Sequence, residues 1–244
     1  MKFKEEVRWS EWGRRLVVFG KWFLVVGIAL WIVWFSFIFD DSVRRMVLEW
    51  QGDSWRGSRA AQFWGAVSKY GDWPQLFVTG SLLLVLALVR RKRRAAEVIA
   101  AAIVASTLTG IIANGSRLTT GRVRPRDEAK LGAGFFGPWH EGRLTVGVPG
   151  YNSFPSGHAA TAFGFASPVF FAVPWVGLVL MVGAVMVAMS RVMLGAHHLS
   201  DIVVSLLLAL FIGYMVLRWF EGRGGKWLDR LMELLAGGWR PSEK

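Results

Sequence analysis

Residues 155–201 read PSGHAATAFGFASPVFFAVPWVGLVLMVGAVMVAMSRVMLGAHHLSD. Between His158 and Arg191 lie 32 residues without a charge, Ala159 to Ser190. A helix crosses the hydrocarbon of a bilayer in about 20 apolar residues. The run is too long for one ordinary span and fits two joined by a short link. Pro174 marks the break, because proline disrupts a helix interior, and Pro168 only kinks the first of the pair. Polar groups gather at the ends of this double span. Pro155, Ser156, Gly157 and His158 precede it, Ser190 and Arg191 close it, and His197 and Asp201 open the next apolar run. An out-and-back pair of spans brings all three groups to one side of a membrane.

The rest of the chain extends the same pattern. Further uncharged runs cover Trp22 to Phe39, Trp73 to Val89 and Val98 to Ser116, and Leu199 to Leu217 holds only Asp201. The expectation is an all-α integral membrane bundle of six transmembrane helices. It forms a single domain over residues 1–244, with its polar site on the external face. The composition agrees: 53% of the 244 residues are hydrophobic, only 19% are charged, and the mean hydropathy is +0.38. Soluble domains carry about a quarter charged residues. The absence of cysteine excludes disulfide scaffolds, zinc–thiolate and iron–sulfur centres, and a cysteine nucleophile.

A net charge of +12 invites a nucleic-acid reading, but the distribution of the charges argues for topology instead. Lys2, Lys4, Arg8, Arg14, Arg15 and Lys21 precede the first span, Arg90 to Arg94 link the second and third, and Arg218, Arg223, Lys226 and Arg230 follow the sixth. With six spans these segments share one face, which the positive-inside rule makes cytoplasmic. No nucleic-acid partner is therefore expected. Residues 1–21 read as a cytoplasmic N-terminal segment, without the small-residue site of a cleaved signal peptide. Residues 226–239 read as an amphipathic helix lying on the cytoplasmic interface.

One loop departs from the charge rule. Residues 117–143 are external by the span count, yet carry Arg117, Arg122, Arg124, Arg126, Lys130 and Arg143. This is either a solvated basic loop or a binding surface for an anion, and the planar guanidinium fork suits phosphate. Ser156 and Gly157 would open a helix, whose first N–H groups make an anion site. His197 and Asp201 stand four apart and share a helix face. The carboxylate could then fix one imidazole nitrogen and leave the other as nucleophile. By the same span count, these groups and the arginines fall on one face. No convincing metal-ligand cluster appears.

Arg117-(six residues)-Arg124-Pro125, Pro155-Ser156-Gly157-His158 and Ser190-Arg191-(five residues)-His197-(three residues)-Asp201 together resemble the three-part signature of the type 2 phosphatidic acid phosphatase superfamily. That superfamily contains integral-membrane lipid phosphatases and soluble vanadium haloperoxidases. The motifs span residues 117–201, and the six-span pattern extends the likeness over most of the chain. Arg117 departs from the lysine usual at that position; it keeps the charge with a different reach.

The resemblance implies a metal-independent lipid phosphate phosphatase with no cofactor. His197 is implied as the nucleophile that becomes a phosphohistidine, Asp201 as its orienting carboxylate, and His158 as the acid toward the departing oxygen and the base toward water. Arg117, Arg124, Arg191, Ser156 and Gly157 are implied as the phosphate cradle. Such a division suits phosphoryl transfer, where positioning and electrostatics dominate.

The implied setting is a bacterial cytoplasmic membrane, with the termini inside and the site outside. Relatives act on lipid A phosphates, phosphatidylglycerol phosphate, phosphatidic acid and undecaprenyl diphosphate. The stretch from Gly195 to Asp201 looks somewhat like bacterial lipid A phosphatases. A lipid phosphotransferase and a non-catalytic lipid-binding or transport protein are the alternatives, and the sequence leaves the oligomeric state open. Among lesser residues, His198 reads as a lip residue, and His140 and Glu141 as parts of a solvated loop. Tyr151, Asn152 and Phe154 read as pocket-mouth residues, with Pro125 and Ser190 as structural supports.

Overall fold

The structure, a computed structural model, describes residues 2–235. Met1 of the expected cytoplasmic segment and residues 236–239 of the expected interfacial helix lie outside the described residues. So do the side chains of residues 2–12, 14 and 15, which carry most of the N-terminal charge. The long helices are α1 (Lys2–Gln51), α3 (Trp73–Val89), α4 (Arg93–Thr120), α6 (Gly157–Ala172), α7 (Pro174–Met193) and α8 (Leu199–Trp219). Each contains or abuts one expected span. Shorter helices are α2 (Arg59–Tyr70), α5 (Glu128–Leu131) and α9 (Gly225–Leu235). Trp139–His140 and Arg143–Leu144 pair as a small antiparallel hairpin, β1 and β2.

Four segments are long and apolar enough to cross a membrane: Leu16–Gln51, Arg93–Thr120, Pro174–Met193 and Leu199–Leu234. Helices α2 and α3, bent by 51° at their joint, make a fifth if they form one span. Helix α6 has 16 residues, about 24 Å at the usual rise, which is short of the hydrocarbon thickness. Its place explains the brevity. It packs against α4, α7, α8 and α3, so its ends need not reach lipid headgroups.

The centre of the bundle is built from small residues. Ala101, Ala102, Ala105 and Thr109 of α4 and Ala159, Ala160 and Gly164 of α6 are buried. Their size lets the backbones approach closely enough for side-chain hydroxyls to reach across. Ser106 Oγ donates to Thr161 O at 2.9 Å, and Thr109 Oγ1 to Ala160 O at 2.8 Å. Between α6 and α8, Ser167 Oγ donates to Ala209 O at 2.8 Å and Ser205 Oγ to Ser156 O at 2.9 Å. Small residues and hydroxyl bonds of this kind hold helices together where lipid removes the hydrophobic drive.

Helix α1 packs mainly on α8, and its apolar run stays outside the core: Phe23 is 83% exposed. So large an apolar exposure marks a surface made for a partner or a membrane. Pro174 starts α7, with only Val173 between it and the end of α6, as the sequence implies, and Pro168 sits inside α6 without ending it. The stretch between the first two expected spans is mostly helical, because α1 continues to Gln51 and α2 follows. A π turn at Phe220–Gly224 joins α8 to α9. Helix α9 buries Leu228, exposes Trp227, and is clipped to α4 by Arg93 and Asp229 at 2.6 Å.

Candidate active site

The C-terminal ends of α4 and α7 and the N-terminal ends of α3, α6 and α8 meet at one end of the bundle. The cytoplasmic-type basic cluster, residues 90–94, lies at the other. Each expected site residue sits at such a terminus or in the loop beside it. Arg117 lies in the last turn of α4, Arg191 in the last turn of α7, and His197 just before α8.

His197 is 1% exposed. Its Nδ1 lies 2.7 Å from the Ser153 carbonyl oxygen and 3.5 Å from Asp201 Oδ2. A carbonyl only accepts, so Nδ1 carries the proton and Nε2 keeps its lone pair. The close orienting partner is thus Ser153, with the carboxylate a second, longer contact. Burial pushes the imidazole down to about 3; Asp201 opposes that fall, and Arg117 and Arg191 add to it.

Asp201 is fully buried and saturated with donors. Arg122 Nη1 and Ser153 Oγ reach it at 2.5 Å each, and the His198 N–H at 2.8 Å. Arg122 also donates to Asp40 Oδ2 at 2.6 Å and to Ser200 Oγ at 2.7 Å. Asp40 in turn accepts from the Ser200 N–H at 2.8 Å and Ser200 Oγ at 2.6 Å. Phe37, Phe135 and Phe154 surround the Arg122 guanidinium at 5.0, 4.8 and 5.8 Å. This buried chain, Asp40–Arg122–Asp201, ties α1 to the nucleophile candidate. Asp40, Arg122, Ser153 and Ser200 escaped the sequence reading. Arg122 was visible only as one of several loop arginines, and Asp40 only as a charge ending an apolar run.

The three expected cradle arginines share an unusual feature. Arg117 Nη2, Arg124 Nε and Arg191 Nε are buried without a partner among the described residues. Arg117 and Arg191 are held through other donors. Arg117 Nε donates to Pro155 O and Nη1 to Asn114 Oδ1, both at 2.9 Å. Arg191 Nη1 donates to Ser68 Oγ at 2.5 Å. Burial and the neighbouring Arg126 lower the pKa of Arg124, against Asp127 and Asp201. A buried N–H without an acceptor is costly, and an anion is the kind of acceptor that three guanidinium N–H groups suit.

Gly157 lies against this group: a Cβ there would sit 2.9 Å from Arg117 Nη2. Ser156 caps α6 by accepting from the Ala159 N–H at 3.4 Å. The helical bonds begin at Ala160, which donates to Ser156 O at 2.9 Å. The N–H groups of Gly157 and His158 thus lie ahead of the ladder. His158 Nε2 stands 3.4 Å from Asp72 Oδ2.

His198 is a correction to the sequence reading. It is 6% exposed, its Nε2 meets Val123 O at 3.1 Å, and it faces Glu128 at 3.5 Å. It is a buried brace for the loop after α4, not a lip. His140 stacks on Phe136, with ring centroids 4.0 Å apart. Among the described residues no group of three or more acidic or histidine side chains is placed to hold a metal ion.

These elements define a helical bundle with a basic, histidine-bearing cluster at one end. The model of the PAP2 superfamily matches residues 97–224, just over half of the chain. The chain belongs to that superfamily, the type 2 phosphatidic acid phosphatases. It is 32% identical over 98 residues to proteins named lipid A 1-phosphatase from Rhizobium johnstonii and from Rhizobium etli. Each match takes in 40% of this chain, and 38% and 40% of the respective relative. The chain therefore spans about two fifths of the length of these relatives. The crystal structure of Aquifex aeolicus LpxE is similar with a TM-score of 0.49 and 22% identity, over 73% of this chain and 94% of that one.

Proposed function

We propose that this chain is a lipid phosphate phosphatase of a bacterial cytoplasmic membrane, folded as one domain with six spans and its site on the external face. The observation that carries the reading is the pairing of His197, whose Nε2 keeps a lone pair, with three arginines that hold buried, unanswered N–H groups. The arginines and the α6 N-terminus hold the three non-bridging phosphate oxygens. His197 Nε2 attacks phosphorus, and the bond from phosphorus to the lipid oxygen breaks. His158 gives that oxygen its proton. Water then attacks phosphorus, its proton passes to His158, the P–N bond breaks, and inorganic phosphate leaves. While the phosphoryl group sits on Nε2, the imidazole is cationic. Its Nδ1–H stays on the Ser153 carbonyl, and the Asp201 carboxylate balances the charge. Arginines and helix N–H groups supply the electrostatic stabilisation that phosphoryl transfer requires.

A lipid substrate is supported by an apolar cavity of about 790 Å³ between α3, α4, α6 and α7. Leu76, Phe165, Ala166 and Val187 line it, and Gly71 at its border precedes Asp72, the neighbour of His158. A chain lying there leads its headgroup to the arginines. The Rhizobium relatives, named lipid A 1-phosphatase, make a lipid A phosphate the first substrate to try.

The test is inorganic phosphate release in detergent from lipid A, phosphatidylglycerol phosphate, phosphatidic acid and undecaprenyl diphosphate, with chelator present. Release by the wild type that falls at least a thousandfold in His197→Ala is the expected result. Phosphate moved to a second lipid instead of water would make the protein a transferase. No turnover of any of the four by folded protein would overturn the reading.

A further inference from the structure

The corner between α2 and α3 lies outside the residues matched by the family model, yet it reaches the site twice. Ser68 of α2 accepts from Arg191 Nη1 at 2.5 Å. Asp72, at the start of α3, places Oδ2 3.4 Å from His158 Nε2. The corner is firmly held. Asp72 Oδ1 caps α3 by accepting from the Trp73 N–H at 2.8 Å. Trp73 Nε1 donates to Thr107 Oγ1 of α4 at 3.1 Å. Gly71 lies so close to α7 that a Cβ would overlap Val187. With Oδ1 committed to the cap, Oδ2 is the oxygen left for the imidazole.

Four charged groups surround His158: Arg191 from α7, Asp72 from α3, Arg117 from α4 and Arg124 from the following loop. Three are cations and oppose a second proton on the ring. A general acid must nevertheless carry that proton when the lipid oxygen departs. Asp72 is the one carboxylate in the set.

We propose that Asp72 is the positioning residue for His158, forming with it a carboxylate–imidazole dyad. This rests on the role given to His158 above. Asp72 accepts the Nε2–H and fixes the ring, so that the second proton travels through Nδ1. In the first half-reaction Nδ1–H passes its proton to the lipid oxygen as the P–O bond breaks. In the second, Nδ1 takes a proton from the attacking water as the P–N bond breaks. The 3.4 Å separation is longer than a formed hydrogen bond, as catalytic contacts often are before substrate binds.

Asp72→Asn tests the dyad, because asparagine caps a helix as well as aspartate while it replaces the charged acceptor facing His158 with an amide NH2. Rates are read against pH on whichever of the four lipids is hydrolysed fastest, for wild type, Asp72→Asn, His158→Ala, the double variant and His197→Ala. Asp72→Asn is expected to lose about 10- to 100-fold in kcat, within the range of general acid–base catalysis. Its alkaline limb should move about one pH unit lower, as loss of a neighbouring carboxylate predicts. In the His158→Ala background the same change should alter the rate by less than about twofold, since the pair acts as one unit. An unmoved alkaline limb, or an equal loss in the His158→Ala background, would overturn the dyad and leave Asp72 a helix cap. Undiminished release by His197→Ala would instead overturn the phosphohistidine route beneath it, and no release by the wild type would overturn the phosphatase reading itself.

Discussion

His197 donates to a carbonyl, and that one contact decides which ring nitrogen can react. The buried groups behind it set the stability of the site. Arg122 stands between two carboxylates, so its loss leaves two buried charges facing each other. Arg122→Met is expected to cost about 3–5 kcal/mol, the usual scale for breaking a buried pair. Adding Asp40→Asn should recover part of it, which thermal unfolding in detergent would read. Stability should also depend on pH in a defined window. Unfolded His197 takes a proton near 6.5, while the folded imidazole stays neutral until about 3. The unfolded state therefore binds more protons as pH falls through that interval, and stability is lost there. Tm is expected to drop between pH 6.5 and 4, and to drop less in His197→Gln; equal slopes would contradict the buried neutral ring.

At the scale of elements, termini do the positioning. Helix α6 brings its free N–H groups to Arg117 because Gly157 leaves room for the guanidinium. Gly157→Ala places a methyl 2.9 Å from Arg117 Nη2 at the end of that side chain. The expected outcome is a loss of about 10- to 100-fold in kcat/KM, the scale of a removed transition-state donor or somewhat less, with Tm nearly unchanged. Gly110→Val differs, since its Cβ would sit 2.7 Å from Thr161 Cγ2 in the packed α4–α6 seam. That variant should lower Tm together with activity.

The sequence made the motif residues legible because phosphate chemistry demands those residue types at helix ends. Pro174 and the uncharged runs likewise showed where α3, α4, α6, α7 and α8 would lie. Asp40, Arg122 and Asp72 could not be read the same way. Their partners lie far along the chain, 82 and 160 residues for Asp40, and only the packing of α1 and α3 brings them together. His198 was misread because its burial depends on the loop after α4 folding over it.

At the scale of the whole molecule, the site end and the basic end lie at opposite poles, and the proposed orientation puts the first outside. The chain has no cysteine, so single introduced thiols report topology cleanly. A thiol at exposed Lys130 should react with a membrane-impermeant maleimide in intact spheroplasts, and one at exposed Lys92 only after permeabilisation. The reverse pattern would turn the molecule over and put the site in the cytoplasm. The central claim is that phosphate passes through His197, and rapid quench with phosphate-labelled lipid tests it most directly. The wild type should carry acid-labile, alkali-stable label that chases into inorganic phosphate, and His197→Ala should carry none. Phosphate release by His197→Ala at the wild-type rate, with no labelled protein in either, would contradict the account.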